Sequence, residues 1–529
     1  NRLADQVILD AEGHHLVVFN PLGTPRTDLV TVPAVSAAPC GRPMYWSAPA
    51  RGETRPAYFE GGTAIGRDVV DLPPDLIDHP FELIDVETAQ SIPYQIMDLD
   101  DPLAARPAAA QRYALGGASP EQRRTLVFVA ENVPSLGYRT FRIAPVERWP
   151  IFDTDLEVRA GVLENRFYRV VLNPDSGTIS SIIDKATGRE WLDNTAQHAC
   201  NQVIVRWSST GEEEVGCCAR AVVGETGPVL ASLVVRGEDV LPGCPQRNQE
   251  IILYDQLKRI DLATRLLKDS TPLMEVYVAF PFALDRPQFR YESGNTVIEP
   301  VRDQLPGSNT DAYAVQHWVD TWDADGGITW ASVDAPVIAL GDLWPGYVSQ
   351  AHHCVTPPGF GHSFVRDPAD LVKGHIYSYV FANNFRTNFQ PVQVADVLFR
   401  YSLRTHEGDW REGQASLFGW GVSMPLIPAG VVGGKAGSIP ATASFCSVLP
   451  SNVMLLTVKR AEDGDGIILR LSETHGRTTR ARVELPWFTI GQAFATNLVE
   501  ENVGSLLYDT HRVWVDLPAY GTATVRCRA

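Results

Sequence analysis

The stretch from Leu163 to Trp191, LENRFYRVVLNPDSGTISSIIDKATGREW, constrains the fold of this chain more than any other. Phe167 to Leu172 is dense in aromatic and β-branched residues, which suit a pleated, half-buried surface. Asn173-Pro174-Asp175-Ser176-Gly177 then gathers turn formers, proline fixing φ and glycine accepting positive φ. A second β-branched run, Thr178 to Ile183, leads into a second turn, Asp184 to Gly188, which returns the chain to Trp191. The predicted unit is a β-meander held mainly by backbone pairing.

The same grammar recurs along the chain. Ile260, Leu262, Thr264 and Leu266 fall on one face of a period-two pattern while Arg259, Asp261 and Arg265 fall on the other, as in a sheet with one wet side. Short runs of this kind occur at Val203 to Trp207, Val229 to Val235, Met274 to Val278, Ile376 to Phe381, Met454 to Val458 and Ile467 to Leu471. Long amphipathic helical patterns are scarce. The expected class is all-β, with multi-domain β-sandwiches. Because single cores stop growing near about 250–300 residues, 529 residues imply several domains. We expect a small sandwich over 1–150 with a proline-rich insertion from about Pro39 to Asp78, and a large domain over 151–430. The glycine-rich Gly430 to Gly437 is expected as a linker, and a terminal sandwich over 439–529.

A net charge of -18 argues against nucleic acid or an anionic membrane as partner. No apolar run approaches the ~18–20 residues of a membrane helix, and no charged-then-apolar leader opens the chain. The first residue is Asn1, which fits a fragment of a longer protein. Eight cysteines at irregular spacing, with Cys217 and Cys218 adjacent and no Cys-x-x-Cys, read as reduced thiols in a cytoplasmic protein.

The Leu163–Trp191 stretch resembles the opening of the large C-terminal β-domain of glycoside hydrolase family 38 α-mannosidases: Glu-Asn, an aromatic strand, a glycine turn, then Asp-Lys-x-x-Gly-Arg-Glu. Other segments agree in order. Val17 to Leu22 with Pro25-Arg26, and Val133 to Phe141, resemble the small sandwich that precedes this domain in the family. Ala279 to Phe282, Gln304 to Ser308 and Gln316 to Val319 resemble later landmarks, and Leu469 to Glu473, Asn497 to Glu500 and Val513 to Pro518 resemble the family's C-terminus. The resemblance implies that the large domain is a galactose-mutarotase-like supersandwich.

It also implies retaining α-mannoside hydrolysis by two carboxyl groups about 5 Å apart, with a zinc ion bound in an N-terminal α/β barrel whose ligands include a His-x-Asp pair. None of the twelve histidines here is followed two positions later by aspartate. We therefore expect no catalytic residue, no metal ligand and no cofactor in this chain, and place the zinc in a catalytic barrel of the same polypeptide, outside this sequence. The expected function is a non-catalytic C-terminal β-region that buttresses the barrel and completes the rim of its sugar pocket. The expected partners are that barrel and an α-mannoside or other carbohydrate. A free-standing carbohydrate-binding module of the same fold, and an aldose epimerase-like enzyme recruiting Glu292, Glu299 and His317, are the alternatives.

Within Asp303 to Asp320, the residues Gln304, Asn309, Asp311, Gln316, His317 and Trp318 form a polar and aromatic stretch. Such side chains can hydrogen-bond sugar hydroxyls while a ring covers the sugar face. The segment either contributes these contacts or is a structural loop around a buried tryptophan. Three further groups read first as structure: His352-His353-Cys354 with His362 and His375, where adjacent strand residues point to opposite faces; Trp318, Trp322, Trp330, Trp344 and Tyr347, as core; and Asn383, Asn384 and Asn388, as turn formers.

Overall fold

The signature meander forms as its sequence dictates. Tyr168–Leu172 and Ile179–Asp184 pair antiparallel, and Arg189–Glu190 adds to the latter. Between the first two strands the Asn173 carboxamide oxygen accepts the backbone N–H groups of Asp175 and Ser176, and Gly177 takes a φ of +69°. A β-carbon on Gly177 would also lie 2.5 Å from a Val235 methyl, so both conformation and space require glycine there. In the second turn the Asp184 carboxylate accepts the N–H of Ala186 and binds Lys258 Nζ at 2.8 Å and Thr405 Oγ1 at 2.5 Å. The motif's polar residues thus act chiefly as ties. Buried Asn165 bridges Tyr254 and the start of the next strand, and Glu190 accepts from the Ser181 hydroxyl and the Ile182 and Leu192 amides.

This computed structural model describes residues 3–9, 11–34, 47–50, 53–56, 74–98, 124–208, 210–344, 364–383, 392–434 and 437–529. Most of the proline-rich insertion, His352 to Cys354, His362, Tyr347, Asn384 and Asn388 lie outside them. The described residues fall into two compact units. One takes 3–98, 124–153 and 424–529, the other 154–423.

In the second unit the five-stranded sheet carrying the signature shares one core with two larger sheets. A six-stranded sheet runs Glu213–Val215, Val203–Trp207, Met274–Phe282, Gly374–Asn383, Val337–Leu340, Tyr313–Ala314. A nine-stranded sheet has Gln246–Tyr254, Ile260–Lys268, Ala395–His406, Gly326–Ser332 and Trp318–Asp323 as consecutive inner strands. Tyr168, Leu233, Leu262, Val278, Phe280, Trp330 and Tyr401 contribute to the common core. Trp318, Trp322 and Trp330 are buried. Asn383, expected in a turn, instead ends a strand.

The period-two reading of Ile260–Lys268 places its apolar face in this core, but the opposite face is not simply wet. Arg265 is buried and gripped in bidentate fashion by Asp396, and Asp261 accepts hydroxyls from Tyr254 and Ser402. Ion pairing and hydroxyl bonds from neighbouring strands satisfy what a sequence pattern assigns to water.

In the first unit His14–Asn20 lies between Gly137–Pro145 and Ile427–Val432. The stretch expected as a glycine linker is therefore a strand through Val432: His14 pairs with Val432, and Val431 packs with Val17 and Tyr138. Its β-branched pair and an available edge outweigh its glycines. Facing this layer, Arg26–Ala34, Arg124–Val133 and Tyr94–Asp98 form a three-stranded sheet around Leu16, Val30, Phe128 and Phe141. The C-terminal strands, among them Val453–Arg460, Ile467–Glu473, Thr479–Glu484, Arg512–Leu517 and Thr522–Arg528, enclose a separate core of Leu469, Leu471, Val483, Val515 and Val525.

Candidate functional site

The predicted sugar-contacting segment divides into local networks. Gln304 accepts the Val301 N–H and donates to the Asn309 carbonyl, and the Asn309 side chain accepts the Asp311 N–H. Asp311 is buried, accepts the Val365 N–H at 3.0 Å, and burial pushes its carboxyl up. These three residues secure a loop. Gln316 is exposed and exchanges hydrogen bonds with Asn295. Trp318 is fully buried against Trp410, where Gly419 of the helix Ala415–Ser423 leaves room for its ring.

His317 lies apart from the loop network. Its Nδ1 is 2.9 Å from Glu292, whose other oxygen accepts the Trp420 indole N–H at 2.8 Å, and its ring sits 4.2 Å from that of Trp420. Glu299 does not join this pair; it binds Arg290 and Arg302.

At the other end of Trp318–Asp323, roughly 17 Å along the strand by the usual rise, lies a concavity of about 750 Å³. Thr187, Arg189, Asp193, Phe282, Leu284, Asp285, Asp323, Asp325, Val372, Lys373 and His375 are among its lining. Its geometry rests on two carboxylates. Asp323 holds Arg189 through both oxygens, at 3.0 and 2.6 Å, and accepts the N–H groups of Asp285 and Asp325. Burial opposes its charge, but these donors outweigh burial and hold its carboxyl below the usual range. Arg189 also lies 4.2 Å over the Trp191 ring. Asp193 accepts the Thr195 N–H and hydroxyl on one oxygen and meets His375 Nε2 at 3.0 Å with the other. Burial lowers the His375 pKa despite that carboxylate.

Behind the cleft, the outer face of the six-stranded sheet is polar, aromatic and buried. Register places Pro281 beside His375, Ala279 beside Tyr377 and Arg206 beside Glu275. His198 meets Glu213 at 2.9 Å and the Tyr377 hydroxyl at 3.4 Å, and Glu275 accepts from Arg206 and from the Tyr277 hydroxyl. Desolvation pushes the Tyr277 and Tyr377 hydroxyls well up, and the neutral Tyr277 hydroxyl donates to Glu275. Among the described residues no three or more His, Cys, Asp or Glu side chains are arranged to hold a metal ion.

Sequence reasoning passed over Arg189, Asp193, Asp323 and Asp325 because each sits in a turn or at a strand end, where aspartate and glycine signal reversal. The signal that was available is Arg189 itself, the signature residue whose guanidinium takes its hydrogen-bond partners, Asp323 and the Ala283 carbonyl, from outside the meander.

These features define a multi-sheet β-sandwich protein with a small-molecule-sized cleft in its larger unit. Residues 163–333 match the model of the glycosyl hydrolases family 38 C-terminal domain, and residues 452–521 that of the family 38 C-terminal beta sandwich domain. Two stretches of the chain thus match C-terminal domains of glycosyl hydrolase family 38. The chain is similar in fold to an α-mannosidase from Enterococcus faecalis, at 13% identity and a TM-score of 0.67, covering 99% of this chain and 57% of that one. A family 38 protein from Enterococcus faecalis gives 14% identity, a TM-score of 0.68, and coverage of 99% and 60%. The chain thus spans less than two thirds of either. A galactose mutarotase-like protein from Lactobacillus casei aligns with 47% of this chain at 9% identity and a TM-score of 0.29. No curated protein matches in sequence.

Proposed function

We propose that this chain is the non-catalytic C-terminal β-region of a family 38 α-mannosidase. In this reading it buttresses a catalytic α/β barrel of the same polypeptide and completes the rim of that barrel's sugar pocket. The observation that carries the reading is the alignment of 99% of this chain with 57% of an α-mannosidase, together with two family 38 C-terminal matches. Zinc and the two reacting carboxyl groups belong to the barrel in this reading. The work of this chain is mechanical: ties such as Asp184 to Lys258 and Thr405, and Asn165 to Tyr254, fix the large sandwich as a rigid support. His317, positioned by Glu292 and Trp420, is the side chain of the Asp303–Asp320 segment best prepared to reach a hydroxyl, since its Nε2 makes none of the bonds that hold the ring.

The test is hydrolysis of a chromogenic α-mannoside, with and without zinc, by this chain and by a longer polypeptide that includes the barrel. Turnover by the longer polypeptide alone is expected. Zinc-dependent turnover by this chain alone overturns the proposal.

A further inference from the structure

The cleft at the far end of Trp318–Asp323 has no part in that reading, yet it is built as a binding site. Its volume of about 750 Å³ falls within the ~300–1,000 Å³ of small-molecule sites. Its polar groups are fixed before any ligand arrives: Asp323 by Arg189 and two amides, Asp193 by Thr195. Its apolar lining includes Phe282, Leu284 and Val372. Four aspartates line it against one arginine and one lysine, a formal excess of two negative charges.

This combination selects ligand chemistry. Excess negative charge disfavours phosphates, sulfates and carboxylates. Asp323 is saturated by its four donors and serves to fix Arg189, whereas Asp193 accepts only three hydrogens and retains a lone pair for a hydroxyl. His375 adds an unmatched group. Burial keeps it neutral, so Nε2–H donates to Asp193 and Nδ1 is a buried acceptor with no hydrogen-bond partner among the described residues. A ligand with several hydroxyl donors and a C–H face meets both kinds of lining. A neutral pyranoside is such a molecule.

We propose that this cleft binds a neutral pyranose ring, at a site separate from the Asp303–Asp320 segment and independent of any barrel. Hydroxyls are received by Asp193 beside His375 and by the exposed Asp325, and the C–H face rests on Leu284 and Val372.

The test is calorimetric titration of this chain with methyl α-D-mannopyranoside, with methylammonium chloride as the cation probe. Saturable sugar binding is expected. Val372 is 69% exposed, so Val372→Trp can block the cleft without disturbing a core. It should abolish binding with an unchanged melting temperature, and Asp193→Asn should weaken binding by about tenfold. Absence of sugar binding, binding of methylammonium alone, or sugar binding unchanged by Val372→Trp overturns the proposal. So does binding lost in Gln316→Ala instead, which assigns the sugar to the loop. None of these outcomes bears on whether a barrel is needed for hydrolysis, so the two proposals fail separately.

Discussion

His406 and His375 each rest Nε2 on an aspartate, at 2.8 Å and 3.0 Å, yet they hold their protons oppositely. Burial pushes both downward. At His406 the charge and hydrogen bond of Asp320 outweigh burial and raise the pKa above the ordinary value. At His375 burial prevails over Asp193, and the pKa is lowered. The difference lies in the carboxylates. Asp320 is fully buried, and one of its oxygens has no hydrogen-bond partner among the described residues. Its charge is spent on His406 and the Thr329 hydroxyl. The Asp193 side chain is 27% exposed, and one oxygen already accepts twice from Thr195. The same two residue types raise the imidazole pKa in a buried pair in one place and leave it lowered beside an open cleft in the other. The first fastens three adjacent strands, Trp318–Asp323, Gly326–Ser332 and Ala395–His406. The second shapes a surface.

Asp320→Asn removes the buried partner of an imidazolium, a change that costs about 3–5 kcal/mol when one member of a buried pair is lost. A shift in urea midpoint equivalent to less than about 1 kcal/mol would show that His406 is not charged in the folded protein.

The next effect is the dependence of stability on pH. The folded pKa of His406 lies above the unfolded value of about 6.5. Its contribution is therefore complete below pH ~6.5 and is lost as pH rises through the folded value. The folded pKa of His375 lies below about 6.5, so its contribution is complete above that pH and is lost as pH falls through the folded value. A tenfold difference in proton affinity between the folded and unfolded chains is worth about 1.4 kcal/mol. Melting curves against pH should lose the alkaline limb in His406→Gln and the acidic limb in His375→Gln. The same limb lost in both variants would mean that the two pairs are alike.

Much of the fold was legible because it depends on local rules. The turns at Asn173–Gly177 and Asp184–Gly188, the alternation through Ile260–Lys268 and the burial of Trp318, Trp322 and Trp330 follow from composition and period alone. The strand Ile427–Val432 was not legible, since glycines hid a run whose edge partner lies more than 400 residues earlier at His14–Asn20. The polar outer faces were not legible either: Arg265 is buried only because Asp396 arrives from another strand. For the site, the pattern pointed to Asp303–Asp320. There the fold joins Gln304, Asn309 and Asp311 in a loop and pairs His317 with Glu292, a residue 25 positions away. The cleft draws on residues separated by up to 188 positions, from Thr187 to His375, and no window of sequence contains it.

Lys373 pairs with Asp342 at 2.7 Å, both side chains more than two fifths exposed, so Lys373→Ala should change stability by no more than about 1 kcal/mol. Lys373 nevertheless helps to lower the His375 pKa, behind burial, because a cation opposes a second positive charge nearby. Removing it should raise the His375 pKa toward its ordinary value and leave His406, held by Asp320, where it is. Imidazole proton titration by NMR in Lys373→Ala reads both histidines in one sample. A His375 that does not move would leave desolvation and the geometry of Asp193 as the whole cause of its neutrality. Movement of His375 alone would show that the surface charge of the cleft, and not only burial, lowers its pKa.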